Sequence, residues 1–201
     1  MSALPVELEG MTRSAFILRG ALGAAGLYGA GAVAPFVSRA LAQGNAADIE
    51  AVNFALALEN LEAAFYAAAL KTAKLSGEVK ALATEFGKHE TTHAGTLKQL
   101  VEALGGKAEA APAAKFRLRN QADFLKTAVA LEDIGVSAYN GLAPQLTTPD
   151  IVLAAGTIVQ VEARHAAALR FQAGEDPAPN AFDPVLTPTQ VQKALSKASG
   201  G

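Results

Sequence analysis

The chain carries one polar pattern twice. Leu56-Ala57-Leu58-Glu59-Asn60 returns as Val129-Ala130-Leu131-Glu132-Asp133, and each Glu is followed seven residues later by a tyrosine, Tyr66 and Tyr139. About thirty residues beyond each Glu stands a Glu-x-x-His, Glu90 with His93 and Glu162 with His165. Residues three apart share a face of a helix. Those faces are otherwise apolar. Val52, Ala55, Leu56 and Ala63 surround Glu59, and Ala83, Phe86, Ala94 and Leu97 surround Glu90. Leu125, Ala128, Val129 and Val136 surround Glu132, while Ala155, Ile158, Val159, Ala166 and Leu169 surround Glu162. A solvent-facing Glu would not recur on the apolar side of every helix. A buried carboxylate is costly unless it is paired or bound to a metal. These acids are therefore expected to meet partners in the core, unless they are protonated or hydrated there.

Helix signals frame each copy. One helical pattern runs from Asp48 to about Leu75 and ends at Ser76-Gly77; a second runs from about Glu78 to Leu104 and ends at Gly105-Gly106. Asn120 with Asp123 opens a third, carried to about Ala143 and broken by Pro144. The fourth spans Pro149 to Ala173. Thr148 is its expected N-cap, Pro149 suits the first helical position, Asp150 complements the helix start, and Gly174 supplies the stop. Behind Thr187, a short helix is expected from Pro188 to Lys197. The segment 105–119 shows no clean period. Extended, it spans about 50 Å against about 40 Å for a helix of this class, so it can run the length of a bundle. The prediction is an all-α chain: a four-helix bundle over 45–174 with one long crossover, an N-terminal apolar segment and a C-terminal tail, 175–201. Each of the four acids falls near the middle of its helix, and midpoints meet at one height whichever way the helices run.

Composition narrows the chemistry. With no Cys among 201 residues, disulfides, zinc ribbons, iron–sulfur ligation and thiol nucleophiles are excluded together. A formal net charge of −2 gives no electrostatic reason to expect nucleic acid as a partner. Four central carboxylates supply a charge that two divalent cations neutralise, and carboxylate with imidazole suits iron or manganese. The six candidate ligands are Glu59, Glu90, His93, Glu132, Glu162 and His165.

On these motifs, over roughly residues 46–173, the sequence resembles the ferritin-like superfamily, which includes bacterioferritins and rubrerythrins. It is similar in particular to exported bacterial ferritin-like proteins sometimes labelled desiccation-related. The resemblance implies that Glu90 and Glu162 bridge two metal ions, iron first and manganese as the alternative. Glu59 and Glu132 would be terminal carboxylates, and His93 and His165 would each ligate one ion. Tyr66 and Tyr139 become the candidate catalytic residues, as hydrogen-bond donors behind the ligands or redox partners, with plain core tyrosines as the other reading. Glu62, one turn beyond Glu59, has Gly135 as its counterpart and is expected to be solvated rather than to support the site. His89 has Val161 as its counterpart and is expected on the surface, with an access-path role as the alternative. Lys71, Lys74, Lys88 and Arg164 read as solvated faces.

Three functions are expected, two from that resemblance and a third from residues 1–44 read as an anchor. The first is an oxidoreductase acting on small-molecule substrates: hydrogen peroxide, O2 or ferrous iron. Without Cys, a peroxidase cycle would draw electrons from an outside reductant, whereas a catalase-like cycle would not. The second is iron storage in an oligomeric cage. The third is a structural or membrane-associated helical subunit without turnover.

The first 44 residues bear on location. Arg13 and Arg19 precede an uncharged Gly/Ala-rich run from Gly20 to Val37, and Ala40-Leu41-Ala42 matches a small-x-small processing site before Gln43. Thr12-Arg13-Ser14-Ala15-Phe16-Ile17 resembles a twin-arginine signal in which Ser14 replaces the second arginine. A cleaved export signal, giving a periplasmic or exported protein, is the expectation. An uncleaved anchor, associating with the membrane through residues 14–38, is the alternative.

Overall fold

The computed structural model describes residues 46–110, 112 and 115–198. Four long helices carry the fold: α1 (Ala46–Thr72), α2 (Gly77–Ala103), α3 (Gln121–Leu142) and α4 (Pro149–Ala173). A 3-10 turn at Ala143–Gln145 links α3 to α4, and a short α5 (Pro188–Ala198) ends the described chain. The described residues contain no strand. The expected export signal or anchor, residues 1–44, lies outside them. Among the described residues no helix is long and apolar enough to cross a membrane.

The helices pack as two hairpins, α1 with α2 and α3 with α4, joined mainly through α1 against α3 and α2 against α4. Both inter-hairpin pairs run antiparallel. Gln121 at the start of α3 accepts from the Ser76 amide at the far end of the first hairpin (3.1 Å), and Gln172 near the end of α4 reaches Glu78 near the start of α2 (3.2 Å). The 104–120 connection therefore travels the length of the bundle. Asn53 pins its beginning to α1, donating to the Lys107 carbonyl (3.1 Å) and accepting from the Glu109 amide (3.0 Å). Phe116 and Leu118 seal its far end against the core.

Local signals act much as their chemistry demands. Asn120 caps α3, accepting from the Asp123 amide at 2.8 Å. Gly174 takes the left-handed conformation (φ 76°) and closes α4, with the Glu175 amide bonded to the Arg170 carbonyl (2.9 Å). Thr148 behaves differently from its expected role. It occupies the N-cap position of α4, yet its hydroxyl makes no cap and donates instead to Asp48 (2.6 Å). Asp48 is fully buried and also receives the amide (2.8 Å) and hydroxyl (3.0 Å) of Thr147. An acid in the first turn of α1 thus stitches the two hairpins together at one end of the bundle.

The apolar interior is divided. One cluster, toward the Asn120 end, contains Phe65, Phe86, Phe124, Leu131 and Leu169. The other, toward the Asp48 end, contains Val52, Leu56, Leu97, Leu100, Ile151 and Ile158. Between them lies the layer holding Glu59, Glu90, Glu132 and Glu162. A third, smaller cluster forms where α5 seats fully buried Val191 among Leu58, Ile134 and Ala138.

Gly141 lets the C-terminal tail reach that seat. The Leu186 amide bonds to the Ser137 carbonyl (3.0 Å), and a Cβ placed on Gly141 would stand 1.9 Å from the Leu186 carbonyl oxygen. Backbone cannot yield as a flexible side chain can. Gly141→Ala is expected to lift the tail and cost about 1–3 kcal/mol, the usual penalty for overpacking. A lowered Tm and faster proteolysis after residue 175, with bundle helicity kept, would check it; an unchanged tail would refute it.

Candidate metal centre

Helix geometry alone aims the six candidate ligands at one place. Glu90 and His93 lie three residues apart on α2, and Glu162 and His165 three apart on α4, so each pair faces inward together. Glu59 and Glu132 project from α1 and α3 at the same height. All four carboxylates and His165 are essentially inaccessible to solvent, and the His93 side chain keeps 13% exposure. Two groups of potential ligand atoms emerge, each with all its atoms within 4.8 Å of one another: Glu59, Glu90, His93 and Glu162, and Glu90, Glu132, Glu162 and His165. Glu90 and Glu162 belong to both.

The imidazoles enter these groups through Nδ1. His93 Nδ1 lies 3.1 Å from Glu59, 3.2 Å from Glu90 and 3.1 Å from Glu162. His165 Nδ1 lies 3.0 Å from Glu90 and 3.2 Å from Glu132. The tyrosines reach across the bundle. Tyr66 of α1 donates to Glu132 of α3, and Tyr139 of α3 donates to Glu59 of α1 at 2.5 Å. Each hairpin therefore holds a buried carboxylate of the other, an approximate two-fold exchange that the sequence repeat encodes.

Residues 47–175, well over half of the chain, match the family described as "Ferritin-like domain". This chain belongs to the ferritin-like domain family. Among solved structures, a conserved hypothetical protein, rv2844, from Mycobacterium tuberculosis shares the fold, with a TM-score of 0.59 and 24% identity over 68% of this chain and 96% of that one. No curated protein matches.

Three residues of this ferritin-like domain, Glu62, His89 and Arg164, lie where the sequence did not put them. Glu62 was expected in solvent; it is buried at 3% exposure. Its carboxylate occupies the space over Gly135, where a Cβ would come within 3.2 Å of Glu62 Oε1 and 3.6 Å of Glu162 Oε2. The missing side chain in the second copy is thus the room that the extra acid of the first copy fills. His89 was expected on the surface, but its side chain is only 13% exposed and its Nδ1 lies 2.8 Å from Nε2 of His165. The interhelical approach of α2 to α4 decides this, and helical periodicity carries no record of it. Lys71, Lys74 and Lys88 are exposed as expected, whereas Arg164 is half-buried.

Electrostatics sort the acids into unequal roles. Burial pushes Glu59 up to about 7, although His93 pulls it back, and burial reinforced by Glu90 raises Glu162 well above the usual carboxylate range. Burial and the neighbouring Glu162 and Glu132 raise Glu62 likewise. Glu90 goes the other way: against the cost of burial, His165 and His93 hold it well below that range. Burial alone would lower His165, but Glu132 and Glu90 overcome it and raise it to about 10. His93 is raised by Glu59 against the same opposing burial. Tyr66 and Tyr139 stay protonated, raised first by burial and then by Glu132 and Glu59, which keeps both phenols as donors.

The donor set fits a pair of cations. Glu90 Oε1 and both oxygens of Glu162 are buried without a hydrogen bond, despite the nearby imidazoles. One Nδ1–H cannot serve every carboxylate oxygen crowded around it. Electron-pair donors that converge on common points, leaving buried oxygens unserved, are what a cation site requires.

A pH dependence of the metal-free protein follows. The unfolded His165 imidazole titrates near 6.5 and the folded one near 10. Its stabilisation is complete below 6.5 and disappears as pH rises through about 10. Glu59, raised to about 7, contributes stability present below 4.5 and lost by pH 7, so its share is already spent in the alkaline window. Thermal melting of the metal-free protein should show Tm falling from pH 7 to pH 10, on the order of 5–10 °C. A flat or rising Tm over that window would contradict the charge distribution.

Proposed function

We propose that this chain is a di-metal protein. Two ions, iron first and manganese as the alternative, would be bridged by Glu90 and Glu162, capped by Glu59 and Glu132, and ligated by His93 and His165. The observation that supports this reading is the sharing of Glu90 and Glu162 between both ligand groups. Two separate mononuclear sites would have no need of common acids. A bound pair of such ions would supply Lewis acidity and exchangeable electrons, suited to redox chemistry on hydrogen peroxide, O2 or ferrous iron.

The protein's own residues prepare that site. Tyr66 and Tyr139 hold the terminal carboxylates in place and stand close enough to take part in electron transfer. The two apolar clusters exclude water from either side of the polar layer, which strengthens every charge interaction within it. With no Cys in the chain, reducing equivalents for a peroxidase reaction come from outside the protein.

Elemental analysis of protein from its native host should find about two metal ions per chain, as the bundle motif requires. Glu90→Ala or Glu162→Ala should remove both, and Glu59→Ala or Glu132→Ala chiefly one. Peroxide loss and oxygen uptake then measure turnover, and Tyr66→Phe or Tyr139→Phe should keep the metal while reducing turnover if the phenols carry electrons. Metal far below that level after reconstitution would end the proposal.

Export, and kinship with the exported desiccation-related proteins, belong to the same proposal. Export is supported by Arg13, Arg19, the apolar run from Gly20 to Val37 and the Ala40-Leu41-Ala42 processing pattern. N-terminal sequencing of the mature protein should begin at Gln43. An intact N-terminus in the membrane fraction would show an anchor instead.

A further inference from the structure

The two halves of the ligand cluster differ in what stands behind each histidine. His93 makes its contacts through Nδ1, facing the carboxylates. His165 is engaged on both ring nitrogens: Nδ1 faces Glu90 and Glu132, and Nε2 lies 2.8 Å from Nδ1 of His89. The two rings are almost parallel, 10° apart, with centroids separated by 5.1 Å. That separation exceeds the nitrogen–nitrogen distance by about one ring width, so the nitrogens lie between the ring centres and the hydrogen bond runs in the plane of both rings. This is edge-to-edge contact, not stacking of faces. Phe86 covers a face of the same His165 ring, at 3.9 Å between centroids. Beyond His89, its Nε2 stands 3.5 Å from Glu85 Oε1, and Glu85 also holds Lys88 at 3.3 Å.

We infer that His89 is a positioning residue that fixes the tautomer and plane of His165, making the metal position served by His165 the tighter of the two. The proton assignment follows from the order of the groups. To present a lone pair inward at Nδ1, His165 must carry its proton at Nε2. His89 Nδ1 then accepts it, which places the His89 proton on Nε2, toward the Glu85 carboxylate. The His165–His89 contact is the hydrogen bond on which the assignment stands; His89 Nε2 lies near Glu85 without a hydrogen bond to it. A ligating imidazole held in this way at its outer nitrogen is oriented before the ion arrives. The second hairpin offers no counterpart, since Val161 stands where His89 stands in the first. The resulting asymmetry is built into α2 and would make the two ions inequivalent.

This inference rests on the di-metal reading, and cobalt(II) separates the two. Metal-free full-length protein is titrated with cobalt(II), and both equivalents are followed by calorimetry and visible absorbance. His89→Leu is expected to weaken one equivalent about 10–100-fold, the usual scale for losing an outer partner of a ligating histidine, and to leave the other nearly unchanged. His89→Asn, whose Oδ1 can accept from His165 Nε2, should restore most of that loss, which packing alone would not do. In a His165→Ala background, His89→Leu should have no further effect. In zinc(II)-loaded protein, nitrogen-edited NMR should show a slowly exchanging His165 Nε2–H that His89→Leu removes. Equal weakening of both equivalents, failure of Asn to restore binding, or an undiminished effect without His165 would overturn the role of His89. A wild-type protein that takes up no cobalt(II) would overturn the di-metal reading itself, and this inference with it.

Discussion

Placing like charges together at the centre of an apolar bundle is the constraint on which the rest of this structure depends. Glu59, Glu62, Glu90, Glu132 and Glu162 share one buried layer, with His93 and His165 as the only imidazoles whose Nδ1 atoms face it. In a low-dielectric interior each unpaired carboxylate costs several kcal/mol, and mutual repulsion adds to that. Without metal, the layer favours an uneven distribution of protons. Glu90 stays ionised between two imidazolium rings, while Glu59, Glu62 and Glu162 are pushed toward their neutral forms. A protein selected only for stability would fill this layer with leucine. Retaining it makes physical sense when an outside charge completes the set.

The surrounding fold serves that layer. Two apolar clusters clamp it from either end, so the polar side chains cannot swing far without breaking packing. The Asp48 stitch to Thr147 and Thr148 fixes the height at which the hairpins meet. The tyrosine exchange fixes their mutual rotation, because each phenol must reach a carboxylate on the opposite hairpin. The apparent two-fold symmetry is broken at two points. Glu62 fills the gap over Gly135, and His89 supports His165 where the other half has valine.

Much of this was legible in the chain. Periodicity and stop signals placed the helices, with α4 running from Pro149 to Ala173 as expected and the other ends shifting by only a few residues. The expected end of α1 at Leu75 overran the observed Thr72, because Ala73 and Leu75 continue the apolar pattern past the last helical turn. The convergence of Glu59, Glu90, His93, Glu132, Glu162 and His165 was equally visible, since a polar residue repeated on an apolar face has one place to go. Thr148 shows the limit. Its type and position announce a cap, but Asp48 from another helix offers its hydroxyl a stronger, charged partner.

By itself the sequence determined the helices, their pairing into two similar hairpins, and the inward acids and imidazoles, because these depend on spacing along a single helix. Only tertiary structure decided that Glu62 is buried, that His89 meets His165, and which tyrosine holds which glutamate. Those facts depend on how closely one helix approaches another and at what rotation, set by small residues such as Gly135 beneath Glu62 and Gly87 against Tyr66. Periodicity within one helix says which way a side chain points; what it meets there belongs to the neighbour.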